Sequence, residues 1–165
     1  MSQIIHPSGV RSTRFLIMSD THDQDLFPAS DTTHAFREPL PKADVLLHCG
    51  DLTMVGGLDE YRRTLRMLSK VDAELKLVIA GNHDLSLDKD YWENSRNRHD
   101  DPDDHDKAVE IWKGDAAKKA GVTYLEEGTH TFTLKSGVSF TVSFVLVFFG
   151  KHSRVHLPGS IKHIF

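Results

Sequence analysis

Cysteine is nearly absent from this 165-residue chain: Cys49 stands alone, which rules out an intrachain disulfide and agrees with a reducing compartment. Its place at the end of an apolar run suits a small packed side chain better than a reactive thiol. An excess of positive charge is also missing. Twenty Lys and Arg against 24 Asp and Glu leave a formal net charge of −4, without the basic face that binders of nucleic acid polymers carry. Long hydrophobic runs are lacking too. The apolar stretch Ser143 to Phe149 falls well short of the roughly 20 residues that a bilayer-crossing helix needs, and no membrane role is expected. The opening Met1 to Pro7 has no charged region ahead of an apolar core, so the cytoplasm is the expected compartment. Eleven histidines are many, yet most lie outside any spacing that suits metal ligation.

What is present is a pattern repeated three times. Leu77 to Ala80 is a short apolar run of the kind buried on both faces of a parallel sheet, and it stops at Gly81-Asn82-His83-Asp84. Phe15 to Ser19 likewise runs into Asp20-Thr21-His22-Asp23, and Val45 to Cys49 into Gly50-Asp51-Leu52-Thr53. Each run delivers oxygen or imidazole donors to a strand's carboxyl end, where open α/β sheets bind ligands. If the three strands are parallel neighbours, Asp20, His22, Asp51, Asn82 and His83 meet on one rim. Carboxylates, imidazoles and an amide oxygen without thiolate suit hard or borderline divalent cations.

Between these blocks, Leu58, Tyr61, Leu65 and Leu68 recur at helical spacing with Asp59, Glu60, Arg62, Arg63 and Arg66 on other faces. This predicts an amphipathic crossover helix in a right-handed βαβ unit, its arginines forming a solvated face. Leu85 to Trp92 is read as a helix or a lid. The Asp- and His-rich run from Asn94 to Asp106 reads as a solvated loop, with Asp104 or Asp106 capping the next helix. That helix is expected over Lys107 to Ala120, stopped by Gly121. Strands come next at Val122 to Leu125, His130 to Leu134 and Val138 to Val142, the last two joined through Lys135-Ser136-Gly137. His34 and His130 are assigned no ligand role.

Asp20-Thr21-His22, Gly50-Asp51 and Gly81-Asn82-His83-Asp84, in that order and each after a strand, resemble the calcineurin-like metallophosphoesterase superfamily. Phe15 to Asp23, Leu46 to Gly57 and Leu77 to Leu85 are similar to its brain-type metallophosphoesterase-domain branch. The resemblance implies an α/β sandwich with crossover helices and a metal-dependent phosphoesterase, acting on a small phosphodiester or cyclic nucleotide. It implies two divalent ions (manganese, iron or zinc) that activate water and neutralise phosphoryl charge. Asp20 and His22 would hold one, Asp51 would bridge, and Asn82 would hold the other. His83 would act on the phosphoryl group or leaving oxygen as a catalytic residue, with Asp84 orienting its imidazole or capping the helix beyond it. The family finishes its site with a histidine after a fourth strand and a Gly-His-x-His block after a fifth. Lys151 to His156 does not match that block. The expectation is therefore a partial domain over 14–142, a non-family tail over 143–165 from truncation, alternative splicing or a misread intron, and an incomplete second metal site. The alternative reading is a non-catalytic metal-binding or protein-scaffold module built on the same fold.

Overall fold

The computed structural model describes residues 12–145. Four strands, β1 (Phe15–Met18), β2 (Val45–His48), β3 (Leu75–Val78) and β4 (Val122–Tyr124), form a sheet in the order β1-β2-β3-β4. All three pairings are parallel, so the expected α/β architecture is present and every strand ends on the same rim.

Register explains which residues face the helices. In-register partners in parallel strands share a face, which puts Leu16, Leu46, Lys76 and Val122 in one row and Met18, His48, Val78 and Tyr124 in the next. These rows meet α1 (Leu58–Ser69), α3 (Asp104–Lys113) and α4 (Asp115–Ala120). Tyr61, Leu65 and Leu68 of α1 pack there with Ile111 and Trp112 of α3, as the helical spacing predicted. Glu60 reaches back to accept a hydrogen bond from the Gly57 N–H at 2.8 Å, satisfying one of the amides that a helix start leaves open. The opposite sheet face is partly covered by the antiparallel hairpin of β5 (Gly128–Thr133) and β6 (Ser139–Phe144). Phe140 meets Phe15 edge-on at 5.2 Å, while Ile17 stays 65% exposed.

Several boundaries differ from expectation. The central strand covers Leu75–Val78 rather than Leu77 to Ala80, because its pairing with β2 starts at Leu75. Lys76 disguised that start. Its side chain is buried, and its ammonium donates to the carbonyls of Leu68, Ser69 and Ala120 at 2.9, 3.3 and 3.2 Å. One cation thus serves the carboxyl ends of α1 and α4, where helix carbonyls lack partners and the dipole favours positive charge. Burial lowers the Lys76 pKa.

The single helix expected over Lys107 to Ala120 is two, broken at Gly114 with extended ψ of −164°. A Cβ at Gly114 would lie 2.4 Å from the Glu110 carbonyl oxygen, so the chain bends where glycine's poor helix propensity lets it. Gly121 ends α4 in the left-handed conformation, as predicted. The charged run is shorter than read: α2 (Lys89–Ser95) and α3 take its two ends. The N-cap of α3 is Asp103, without a side-chain capping bond, and Asp104 and Asp106 fall in the first turn. Ser143 and Phe144, assigned to the tail, close β6 opposite Thr129 and Gly128. Val145, also of that tail, is the last described residue, and 146–165 lie outside the described residues.

Candidate metal centre

The site sits where the loops after β1, β2 and β3 press together. Asp20 N–H donates to Gly50 O and His22 N–H to Asp51 O, both at 3.1 Å, which ties the first loop to the second. Gly81 supplies the close approach of the third, since a Cβ there would stand 2.2 Å from Asp51 N and 2.3 Å from its Oδ1. His83 N–H then donates to Asp51 Oδ1 at 3.0 Å. Glycine at position 81 is thus a steric requirement of the site.

Asp20, His22 and Asp51 each offer a donor atom, and these atoms all lie within 4.8 Å of one another. The backbone carrying them is strained: Asp20, His22, Asp23 and Asp51 have φ of 55°, 44°, 68° and 51°. Left-handed geometry costs a non-glycine residue about 1 kcal/mol or more and concentrates at functional sites. Asn82 is exposed and lines a cleft of about 180 Å³ together with Asp20, Cys49 and Asp51. Cys49 is therefore not the packed residue that the sequence suggested. It lies one residue past β2 and is exposed; partial burial, then the Asp20 carboxylate, raise its thiol pKa.

His22 Nδ1 lies 2.9 Å from Thr53 O. A carbonyl only accepts, so Nδ1 carries the proton and Nε2 keeps the lone pair that a cation needs. His83 Nδ1 is held likewise by Met54 O at 2.8 Å, and the two imidazoles meet edge-to-face at 4.8 Å. Nitrogen and oxygen donors, a fixed tautomer and a pre-strained backbone fit a divalent cation.

Asp84 does not do what the sequence reading asked of it. Its carboxylate accepts hydrogen bonds from Gly81 N, Leu52 N, Thr53 N and Thr53 Oγ1 at 2.7, 3.1, 3.0 and 2.8 Å. The His83 imidazole takes Met54 O instead, and the short 3-10 turn Leu85–Leu87 receives no side-chain cap from Asp84. Asp84 is 0% exposed; burial pushes its pKa up to about 6 while the four donors pull the other way.

Behind the candidate ligands lie residues that no sequence motif marked. Thr21 Oγ1 and His48 Nε2 share a buried hydrogen bond of 3.0 Å beneath the first loop. Burial drives the His48 pKa down to about 4, against the opposing pull of Asp20. The signal for Thr53 was its position, two residues past Asp51. Arg63, read as solvated, makes a bidentate pair with Asp23 at 2.6 and 2.5 Å.

The calcineurin-like phosphoesterase family profile matches residues 13–155. The chain belongs to this family. Its relatives include metallophosphoesterase domain-containing protein 1 of Homo sapiens and of Mus musculus, each 37% identical over 79 residues. The aligned stretch covers 48% of this chain but only 21% of either relative. The calcineurin-like match and these relatives agree with the branch that the three motif blocks resembled, and the family assignment extends past Val142. Among the described residues no helix is long and apolar enough to cross a membrane.

Proposed function

We propose that this chain carries a divalent-metal centre for hydrolysing small phosphoesters, with Asp20, His22 and Asp51 as ligands to one cation. The convergence of their donor atoms within 4.8 Å carries the reading. Asp51 is the group suited to bridging, because it borders the same cleft as Asn82 and a carboxylate has two oxygens to share. A bound divalent cation supplies Lewis acidity, lowering the pKa of a coordinated water and neutralising charge on a phosphoryl oxygen.

The protein's own part is positional. Asp51 is oriented by the His83 N–H, and His22 is fixed in the ligating tautomer by Thr53 O. His83 presents Nε2 as the atom able to meet a phosphoryl or leaving-group oxygen, its other nitrogen being occupied by Met54 O. Phosphodiesters, cyclic nucleotides among them, are the substrate class that the motif resemblance implies; nitrogen and oxygen ligands accept manganese, iron or zinc.

Among the described residues, Asn82 and Asp51 are the two side chains on hand for a second cation, so one site is expected to bind far more tightly than the other. Calorimetric titration with manganese should give one strong equivalent that His22→Ala and Asp51→Asn each remove. Hydrolysis of bis(p-nitrophenyl) phosphate should depend on added metal and vanish in the same variants. Metal binding without turnover would favour the non-catalytic module, and absence of binding would end the proposal.

A further inference from the structure

Asp84 and Thr53 form a buried relay whose far end is His22. The Asp84 carboxylate grips Thr53 through both its backbone N–H and its hydroxyl, and Leu52 through its N–H. The same carboxylate holds Gly81 N at 2.7 Å. One side chain of the third loop thus fixes the second loop immediately after Asp51. Thr53 passes that fixation on. Its carbonyl accepts from His22 Nδ1, and its hydroxyl accepts from Gly56 N at 2.9 Å and lies 3.3 Å from His83 O. Thr53 and Asp84 are both fully buried, so water cannot replace these bonds.

We infer that Asp84 is a positioning residue, acting through Thr53 to hold the His22 imidazole in the orientation and tautomer needed to bind the cation. This rests on the metal reading for its consequence but not for its geometry. Outer partners that orient a ligating histidine typically matter by about 10- to 100-fold in metal affinity. Asp84→Asn places an amide among four donors, where only its oxygen can accept. Thr53→Val keeps the backbone and volume but deletes the hydroxyl that Asp84 receives. Thr53→Ser restores it.

The test uses the full chain and two readouts, manganese affinity by calorimetry and the His22 tautomer by long-range nitrogen–proton NMR without metal. Asp84→Asn and Thr53→Val should each weaken manganese binding at least tenfold and convert His22 from the Nδ1–H form to a mixture. Thr53→Ser should hold both within twofold of wild type. If Asp84→Asn does not fold, Thr53→Val decides alone. Unchanged tautomer in the folded variants overturns the inference, and so does unchanged affinity. Wild-type protein that binds no manganese yet shows the tautomer shift would refute the metal reading while leaving the relay standing.

Discussion

Acidification should destabilise this protein through His48 by an amount that the structure sets. The ring is 1% exposed; Nε2 is taken by Thr21 Oγ1, and Nδ1 is a buried atom with no partner among the described residues. Protonation would therefore create a charged N–H with no acceptor in a dry environment. Folding lowers the pKa from 6.5 to about 4. Above pH 6.5 the ring is neutral in both states and its contribution to this pH dependence is complete. Between 6.5 and 4 the unfolded chain binds a proton that the folded one refuses, so stability falls as pH falls. At about 1.4 kcal/mol per pH unit the full loss is about 3 kcal/mol, of which about 2 kcal/mol is gone at pH 5. His48→Gln retains a side-chain partner for Thr21 but does not titrate. Urea unfolding at a series of pH values should show wild type losing about 2 kcal/mol more than the variant between pH 7 and 5. Carboxylates that titrate in this range are common to both proteins and cancel. Parallel curves, within about 0.5 kcal/mol, would refute the assignment of a neutral, desolvated His48.

Three further outcomes are expected. Lys76→Met should destabilise by about 2 kcal/mol, since it leaves the ends of α1 and α4 without their shared donor; thermal or urea unfolding reads it. Gly81→Ala should lower metal affinity at least tenfold, because its Cβ cannot coexist with Asp51 in place, and calorimetry with manganese checks this. Arg63→Ala should cost less than about 1 kcal/mol despite bidentate geometry, because the arginine is open to solvent, and urea unfolding should show the difference shrinking further in high salt.

Much of the frame was legible because its signals are local. Apolar runs ending in polar corners marked β1 and β2, and helical spacing marked α1. Where a residue's meaning depends on distant atoms, sequence pattern misled. Lys76 looks like a strand breaker until the carbonyls of two helices surround it. Gly114 reads as one tolerated glycine within a helix until Glu110 is seen to crowd it. Asp84, next to His83 in sequence, turns its carboxylate towards Leu52 and Thr53 and away from its neighbour's imidazole. Adjacent residues at a tight corner diverge in space, so sequence proximity was a poor guide to which donor a carboxylate would find. The meeting of Asp20, His22 and Asp51 was readable because each follows a strand's exit, a position that pairing register fixes.

The left-handed residues Asp20, His22 and Asp51 separate what folding wants from what chemistry wants. Glycine tolerates such angles freely, so replacing Asp20 by glycine relieves roughly 1 kcal/mol of backbone strain as it discards a carboxylate. Compared without metal, a variant that gives up this proposed ligand is thus expected to stay folded and to resist heat at least as well as the parent. A screen for soluble, robust metal-free protein would drift towards such variants, and a screen for metal binding would have to pull the sequence back.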